Sequence, residues 1–282
     1  MPLSLSELRS YPVKSCRGLS LEASAVDRFG LLLDRAFMVV GAADGRFLSQ
    51  REEPRLALVA VDLSAGALTL SAPGKGKVRI DLESPGGARR PVEVWRHRGD
   101  GIDQGDAAGG WLSELLGRPL RLVRMPPEHA RRVNPERAPE PAWTSFSDGY
   151  PFLLLSEASL AALNRRLPAP LPMERFRPNL VVRGGEAHAE DGWRRLRIGA
   201  LELELVKPCE RCAVTTVDPA TGVRSGPEPL LTLARYRRSA GAVLFGQNAV
   251  ARGTGQLAVG MPVEVLETQA PPLLEGVQPE GV

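Results

Sequence analysis

The chain has 282 residues, of which 36 are lysine or arginine and 33 are aspartate or glutamate, so its formal net charge at pH 7 is +3. This balance, with aromatic residues at only 5%, argues against a nucleic-acid partner, which would require a basic face or stacking side chains. The length is enough for two small domains or one large β architecture.

The cysteine content and the absence of long apolar runs indicate where in the cell the protein is located. Three cysteines are an odd number and do not suit the disulfide framework of a secreted protein. The first residues lack the charged and apolar regions of a signal peptide. No stretch approaches the roughly 18 apolar residues of a membrane span. We therefore expect a cytoplasmic protein that does not associate with a membrane.

Short β-strands are predicted throughout the first part of the chain. Apolar alternation predicts strands over 5–13, 19–26, 36–41, 56–63, 67–71, 77–82, 91–95 and 120–123. One helix is predicted over 107–116, with Gly117 as its stop signal. So many short strands, separated by turns rich in glycine, proline and serine, are typical of a barrel or sandwich.

A loop dense in proline and charge, residues 125–141, separates this part from the rest. We place a domain boundary in it, which gives domains 1–125 and 126–270 and a flexible tail 271–282. The second domain is predicted to contain strands over 152–155, 179–182, 195–198, 201–206, 213–217, 243–251 and 261–266, and helices over 156–167 and 229–237. The predicted fold class is mainly β with a few helices (α+β).

Two of the three cysteines, Cys209 and Cys212, have C-x-x-C spacing. Residues 201–205 alternate as a half-buried strand, and Pro208 is expected to end it because proline cannot donate to a ladder. Residues 213–217 are rich in β-branched side chains and predict the next strand. The pair is therefore expected on a loop between two strands, where functional residues are common.

Four interpretations of this pair remain open from the local residues. A structural zinc site lacks further ligands at suitable spacing, and a thioredoxin-like dithiol would need a helix start after a strand. The two cysteines could simply be small buried apolar residues. Alternatively, one thiolate could ligate a soft transition metal, which Arg211 and Lys207 would favour because nearby cations stabilise a thiolate.

Motifs along almost the whole chain carry a resemblance to a known family. They are Tyr-Pro-Val-Lys-Ser-Cys-Arg-Gly at 11–18, Asp-Arg at 34–35, Gln-Arg-Glu-Glu-Pro-Arg-Leu at 50–56, Ser-Asp-Gly-Tyr-Pro-Phe at 147–152, Phe-Arg-Pro-Asn at 176–179, Lys-Pro-Cys-Glu-Arg-Cys at 207–212 and Leu-Phe-Gly-Gln at 244–247. The chain resembles MOSC proteins (molybdenum cofactor sulfurase C-terminal domain) with their N-terminal β-barrel domain, among them the mitochondrial amidoxime-reducing components and their bacterial homologues.

The resemblance implies a MOSC-associated β-barrel followed by a MOSC β-barrel that binds a molybdenum–molybdopterin cofactor. It further implies reduction of N-hydroxylated small molecules: amidoximes, hydroxylamines and N-hydroxylated bases. After the C-x-x-C pair only Cys16 is left, too few for an internal iron–sulfur cluster. An external electron donor, ferredoxin-, flavodoxin- or cytochrome b5-like with its reductase, is thus expected. Pyridoxal phosphate binding is a further association of the family.

Two other hypotheses belong to different functional classes. One is a molybdenum cofactor carrier or sulfur-transfer protein that holds a persulfide on Cys212. The other is a binding module without catalysis, in which the cysteines only fill the core. Metal content and persulfide labelling would distinguish these from a reductase.

Cationic and polar residues inside the motifs suit a pterin cofactor with a terminal phosphate. By residue type, Lys14, Arg35 and Arg177 could bind the phosphate, Ser15 could donate a hydrogen bond to it, and Asn179 could bond the pterin edge. Taken singly, such residues are more often surface charges or loop residues.

The resemblance assigns further positions. It makes Cys212 the molybdenum ligand, a choice over Cys209 that spacing alone would not make. The remaining positions that match cofactor contacts are Lys14, Ser15, Arg35, Asp148, Gly149, Tyr150, Arg177, Asn179, Glu210, Arg211 and Asn248, of which 149, 150 and 248 differ in residue type from the relatives. Asp148 is the candidate catalytic acid or base, because cleaving an N–O bond requires protonating the departing oxygen and a carboxyl of raised pKa could do so.

Overall fold

The computed structural model describes residues 2–84 and 86–275. Strands make up most of its regular structure and helices are few, which confirms the mainly β, α+β class. In the first part of the chain the strands are β1 (Ser4–Ser10), β2 (Leu19–Leu21), β3 (Ala23–Asp27), β4 (Gly30–Leu31), β5 (Phe37–Gly41), β6 (Ala60–Ser64), β7 (Ala67–Ala72), β8 (Lys75–Asp81), β9 (Arg89–Val94), β10 (His97–Asp103) and β11 (Leu120–Arg124).

The second part of the chain supplies the remaining strands. They are β12 (Phe152–Ser156), β13 (Leu180–Arg183), β14 (Trp193–Ile198), β15 (Leu201–Glu210), β16 (Arg238–Ser239), β17 (Ala242–Arg252), β18 (Gly255–Ala258) and β19 (Val263–Thr268). The α-helices are α1 (Asp106–Leu116), α2 (Glu157–Asn164) and α3 (Leu230–Tyr236). Short 3-10 helices cover Pro54–Leu58, Met173–Phe176, Ala189–Gly192 and Ala213–Thr216. In the described part of the chain, no helix is both long and apolar enough to cross a bilayer.

The largest sheet combines strands from both ends of the chain. Its order is β19-β14-β15-β17-β12-β13-β1-β2, with β16 paired to β17. Most pairs are antiparallel, but β12 and β13 run parallel. The first strand of the chain, β1, therefore lies between β13 and β2, inside a sheet built mainly from the second part. The domain boundary between residues 125 and 126 stays a prediction. Strand β1, which precedes that boundary, nevertheless belongs to a sheet whose other strands come mainly from after it.

Three smaller sheets complete the molecule. One has the order β5-β11-β10-β9 and another β6-β7-β8, both built from the first part of the chain. The third, β18-β3-β4, joins a late strand to two early ones. Strand β18 is therefore a second connection between the two parts.

Two apolar clusters form most of the core. The first contains Val13, Cys16 and the apolar face of α1, so Cys16 is buried. The second contains Leu5 and Leu8 of β1 together with residues of β14 and β15 such as Leu203. Fully burying a leucine contributes about 1.5–3 kcal/mol, so β1 is held by packing as well as by its backbone hydrogen bonds.

The predicted helix starts and stops are confirmed where local chemistry sets them. Helix α1 ends at Gly117, which has the left-handed conformation with φ 71°. Helix α2 begins after Ser156, whose side-chain oxygen accepts a hydrogen bond from the Ser159 backbone N–H at 3.1 Å. This helix ends at Asn164, earlier than the predicted 167.

Several strand predictions are corrected by the structure. The predicted strand 56–63 begins as the 3-10 helix Pro54–Leu58, and β6 starts only at Ala60. The predicted strand 213–217 is wrong, because Ala213–Thr216 is a 3-10 helix. Strands β10 and β18 were not predicted. Residues 271–275 of the predicted tail have no helix or strand, and 276–282 lie outside the described residues.

Candidate functional site

A cleft of about 140 Å³ opens between segments that are distant in sequence. All twelve residues singled out from the sequence line it, namely Lys14, Ser15, Arg35, Asp148, Gly149, Tyr150, Arg177, Asn179, Glu210, Arg211, Cys212 and Asn248. The fold thus brings together residues of β15 and β17, the turn after β1 and the loops before β5, β12 and β13. Their roles as ligands stay predictions.

Lys14 and Asp148 form an ion pair within the cleft. The Lys14 Nζ lies 2.5 Å from the Asp148 Oδ1, and the lysine side chain is only 6% exposed. The backbone N–H of Lys14 donates to the Phe37 carbonyl of β5, which fixes the turn after β1. Burial lowers the pKa of Lys14, and the adjacent carboxylate only partly opposes this effect.

Asp148 is held in an ionised state, which corrects the expectation of a raised pKa. Burial would raise the pKa of this carboxyl, but the Lys14 ammonium, the Trp95 Nε1–H at 3.1 Å and Arg35 outweigh it, so the pKa lies below its ordinary range. The side chain itself is 72% exposed, and this surface faces the cleft. At neutral pH Asp148 therefore accepts hydrogen bonds and does not donate a proton.

Arg131 fixes the loop that carries Asp148. Its Nη1 donates to the Ser147 carbonyl at 2.5 Å and its Nη2 donates to the Asp148 carbonyl at 2.9 Å. The loop is further anchored by the Ser145 hydroxyl, which donates to the Asp34 carbonyl. The position of Asp148 is therefore set by contacts outside its own motif.

Two arginines stack on one tyrosine at the wall of the cleft. The Cζ atoms of Arg35 and Arg177 lie 4.4 Å and 4.2 Å from the centroid of the Tyr11 ring. Both arginines have positive φ, 49° and 56°, an uncommon conformation for a residue with a side chain. The Arg177 Nη1 donates to the Cys16 carbonyl at 2.8 Å. Burial lowers the pKa of Arg177, so this guanidinium would gain from an added anion.

Asn179 is committed to positioning these neighbours. Its Oδ1 accepts from the Arg35 Nη1 at 2.9 Å and from the Leu153 backbone N–H at 3.2 Å, and its Nδ2 donates to the Arg9 carbonyl at 3.1 Å. The side chain is buried. These contacts tie β12 and β1 together and hold Arg35, whereas a contact with a pterin edge remains a prediction.

The two cysteines occupy different backbone elements, which corrects the predicted loop. Strand β15 continues through Pro208 to Glu210, so Cys209 lies within a strand and Cys212 precedes the 3-10 helix Ala213–Thr216. The ladder tolerates Pro208 because the register with β17 shifts on both sides of it. The Cys212 carbonyl accepts from the Thr215 backbone N–H and hydroxyl, at 3.0 Å and 2.9 Å.

Of the two cations near the cysteines, Arg211 contacts Cys209 rather than Cys212, and Lys207 contacts neither thiol. The Arg211 Nη1 lies 3.0 Å from the Cys209 Sγ, and Lys207 pairs with Glu210 at 2.6 Å. Burial raises the pKa of Cys209, and Arg211 only partly opposes this effect. The Cys212 Sγ lines the cleft half-exposed and forms no hydrogen bond with any residue that the structure describes. Cys212 is therefore the thiol available to a ligand.

The remaining predicted residues shape the cleft. Ser15 has a positive φ of 69°, and its carbonyl accepts from the Gln50 Nε2 at 2.6 Å. A Cβ added to Gly149 would meet no atom within 4 Å, so the absence of a side chain leaves open space there. Asn248 of β17 donates weakly to the Pro208 carbonyl at 3.4 Å. Burial raises the pKa of the Tyr150 hydroxyl.

The sequence did not point to several lining residues. Trp95, Arg51 and Ser49 belong to the cleft wall, and the Arg51 Cζ lies 4.4 Å from the Trp95 ring centroid. Arg51 stands in the quoted Gln-Arg-Glu-Glu motif, but nothing local marks it as part of a site. Trp95 follows β9 at a φ of 55° and belongs to no motif, so only the tertiary structure reveals it.

The donor set of the cleft fits a phosphate-bearing cofactor with a soft metal. Five cationic side chains, Lys14, Arg35, Arg51, Arg177 and Arg211, line it against the two carboxylates of Asp148 and Glu210. The buried Arg211 Nε has no hydrogen-bond partner in the part of the chain that the structure describes. Two sulfurs line the same cleft, that of Cys209 in contact with Arg211 and that of Cys212 without such a contact. Among residues 2–84 and 86–275, no group of three or more His, Cys, Asp or Glu could hold a metal ion.

Comparison with known sequences gives matches over both parts of the chain. The "MOSC N-terminal beta barrel domain" family matches residues 3–119 and the "MOSC domain" family matches residues 141–264. Human mitochondrial amidoxime-reducing component 1 is 38% identical, over 93% of this chain and 83% of its own length. The rice (Oryza sativa subsp. japonica) molybdenum cofactor sulfurase is 34% identical, over 86% of this chain but only 32% of its own length.

A solved structure with a weaker likeness is the solution structure of a protein from Bordetella bronchiseptica. It is 28% identical, covers 39% of this chain and 95% of its own, and has a TM-score of 0.32.

Proposed function

The chain belongs to the MOSC family, and from this premise we propose that it is a molybdenum-cofactor-dependent oxidoreductase that reduces N-hydroxylated small molecules. The relatives named amidoxime-reducing components and molybdenum cofactor sulfurase connect the chain with the molybdenum cofactor. The observation that carries the proposal is the thiol of Cys212, which, unlike that of Cys209, is not in contact with Arg211 and which lies in a cleft lined by five cations. Electrons come from an external donor protein. Pyridoxal phosphate binding and a cytoplasmic location stay predictions.

The residues of the cleft divide into those for the metal and those for the phosphate. Cys212 would supply the soft ligand, and Ser15, Arg35 and Arg177 would hold the phosphate, while Lys14 stays paired with Asp148. The buried Arg211, near the metal side, would meet the remaining negative charge. When bound, the molybdenum–molybdopterin cofactor supplies a two-electron redox centre.

The proton for the reaction would come from the ion pair of Lys14 and Asp148 rather than from Asp148 alone. Reduction of an N–OH group consumes two electrons and two protons and releases water, so the departing oxygen must be protonated. Asp148 is ionised, whereas the neighbouring Lys14 carries a proton on a nitrogen whose pKa is lowered by burial. We assign proton donation to Lys14 Nζ, and we assign to Asp148 the orientation of the substrate by accepting hydrogen bonds.

Turnover of a simple aromatic amidoxime tests the reductase. Protein expressed in a host that makes the cofactor is assayed for conversion of benzamidoxime to benzamidine with a chemical reductant. We expect Cys212→Ser to lower the rate by about two orders of magnitude or more. Loss of a residue that only supports a metal ligand already lowers activity by up to about a hundredfold, and loss of the ligand itself should cost at least as much. Cys209→Ser, the matched control, keeps most of the rate. Equal losses in both variants, or an inactive wild type that contains the cofactor, would contradict the proposal.

A sulfur-transfer role is the second candidate, supported by the similarity to the rice sulfurase. In that case Cys212 would carry a persulfide, and the protein would show labelling by persulfide reagents without turnover of benzamidoxime. Persulfide labelling and benzamidoxime turnover, measured on the wild type and on the same two cysteine variants, therefore distinguish the two candidates.

A further inference from the structure

A broad groove of about 780 Å³ adjoins the cleft and shares Ser49, Arg51 and Trp95 with it. Its walls carry five arginines, Arg46, Arg51, Arg96, Arg131 and Arg132, and we call it the arginine groove. Four of these are exposed and Arg131 is half-buried. The catalytic proposal assigns no role to Arg46, Arg96 or Arg132 of this groove.

The arginine groove has a strong excess of positive charge. Two carboxylates line it, Glu52 and Glu93, and the Glu93 Oε2 is already paired with the Arg98 Nε at 3.1 Å. The pKa of His97 is lowered by burial and by Arg131, so this imidazole adds no charge at neutral pH. Within the described residues, the side chains of Arg46, Arg51, Arg96 and Arg132 form no ion pair. Such a surface attracts an acidic partner.

Trp95 lines both the arginine groove and the cleft. The Trp95 Nε1 donates to Asp148 in the cleft, while the guanidinium of Arg51 lies against the ring of the same tryptophan. A partner seated in the groove would therefore lie next to the cleft wall. The aromatic surface is small: Phe47 and Trp95 pack on each other with centroids 4.8 Å apart, and Arg51 covers Trp95. This leaves little room to stack bases.

We propose that the arginine groove is the docking surface for an acidic electron-transfer protein of the flavodoxin or ferredoxin class. The inference rests on the proposed function, since a reductase needs a donor there. Two electrons, delivered in two successive transfers when the reduced donor carries only one, combine with two protons to convert each N–OH group to N–H and water. Long-range attraction between the arginines and acidic residues of the donor raises the rate of encounter and orients it towards the cleft.

Charge reversal at the far wall of the groove tests this surface. Arg96→Glu/Arg132→Glu changes two exposed arginines that do not line the cleft. Lys77→Glu/Arg79→Glu, two exposed positions on β8 outside the groove, is the control with the same charge change. Each form is assayed with reduced flavodoxin, with reduced plant-type ferredoxin, and with reduced riboflavin as a neutral small reductant. Calorimetry measures flavodoxin binding directly, without turnover.

We expect the groove variant to raise the KM for at least one donor protein about tenfold and to weaken its binding similarly, because electrostatic steering contributes factors of this size. The KM should rise in the wild type as salt shortens the screening length. Turnover with reduced riboflavin should stay unchanged in both variants.

An unchanged KM for both donors in the groove variant, or an equal rise in the control variant, would overturn the docking surface. The groove variant could instead lose binding to an anionic vesicle or to a single-stranded oligonucleotide while its donor binding is unaffected. That result would assign the groove to another partner and would equally overturn the proposed docking surface. If wild-type protein that contains the cofactor fails to reduce benzamidoxime even with riboflavin, the proposed function fails instead. The two failures are thus distinguishable.

Discussion

At the residue scale, Asp148 and Lys14 show how the surroundings decide the protonation state. The residue type and the motif mark Asp148 as an acid or base, but the ammonium 2.5 Å away and the Trp95 N–H stabilise its charged form. Lys14 is the buried member of the pair, so its pKa moves down. No sequence pattern gives the sign of these shifts, because they depend on partners 53 and 134 residues apart in the chain.

Asp148→Asn should reduce stability in a pH-dependent way. The pKa of Asp148 is lower in the folded than in the unfolded protein, so its ionised carboxylate contributes to the free energy of unfolding. This contribution is fully present above the ordinary carboxyl pKa of about 4 and is lost as the pH falls through the folded-state pKa. We expect a loss of about 1 kcal/mol at neutral pH, because solvent screens a carboxylate that is mostly exposed. Denaturant unfolding from neutral to strongly acidic pH measures it.

The difference between wild type and Asp148→Asn should shrink towards zero at low pH, where the wild-type carboxyl becomes protonated and resembles the amide. Asp106→Asn, at a carboxylate that is 98% exposed and paired with Arg121, is the control and should change stability little at any pH. A deficit in Asp148→Asn that stays constant down to the most acidic pH would contradict the ionised carboxylate.

Most of the candidate site could be predicted at the residue scale, since each of the twelve residues lies at or next to a quoted motif. The contacts that each of these residues makes in the site could not be predicted. Asn179 looked like a free amide, yet it is buried and bonded to Arg35. Arg211 looked like support for either thiol, yet it contacts Cys209. These differences arise from side-chain directions that spacing does not encode.

At the element scale, local patterns were reliable where a cap or turn residue sets the end of an element. Gly117 and Ser156 are examples of this kind. The pattern failed at Ala213–Thr216, where the Thr215 and Thr216 hydroxyls bond the Cys212 and Ala213 carbonyls and favour a 3-10 turn over a strand. It also missed β18, whose partner β3 is more than two hundred residues away in the chain.

Gly246 of β17 is the element-scale position where a side chain should be least tolerated. Its φ is +81°, and a Cβ there would lie 2.7 Å from the Leu155 Cδ1 and 2.8 Å from the Leu154 carbonyl oxygen of β12. We expect Gly246→Ala to cost about 2–4 kcal/mol of unfolding free energy, from backbone strain and overlap together. Chemical denaturation measures this cost.

Gly253→Ala is the matched control for that measurement. Gly253 also has a positive φ, +109°, but a Cβ there meets nothing within 4 Å, so only the strain remains, about 1–2 kcal/mol. Equal costs at the two positions would show that the contact between β12 and β17 is not tight.

At the scale of the whole molecule, the two parts of the chain share both a sheet and a site. Strand β1 pairs with β13, and β18 pairs with β3. The cleft takes Lys14, Ser15 and Arg35 from the first part and the cysteines from the second. Neither feature was predictable from a linear division at residue 125, because strand pairing across the chain leaves no local signal.

The second part alone, residues 126–275, should therefore not fold cooperatively. It would lack β1, which leaves β13 unpaired on one side and removes Leu5 and Leu8 from the core. Thermal unfolding followed by circular dichroism should show no sharp transition. The control is the full chain cut at a protease site inserted near the exposed Glu136, whose pieces should stay together and melt as the intact protein does. A cooperative transition in the isolated fragment at the wild-type midpoint would contradict this expectation.

The proposed reductase depends above all on binding of molybdenum by the Cys212 sulfur in the cationic cleft. Elemental analysis of purified protein, from a host that makes the cofactor, tests it most directly. We expect molybdenum close to equimolar with wild type and with Cys209→Ser, and almost none with Cys212→Ser, whose thermal stability should match that of wild-type protein prepared without the cofactor. Molybdenum that stays with Cys212→Ser, or that is absent from the wild type, would contradict the account.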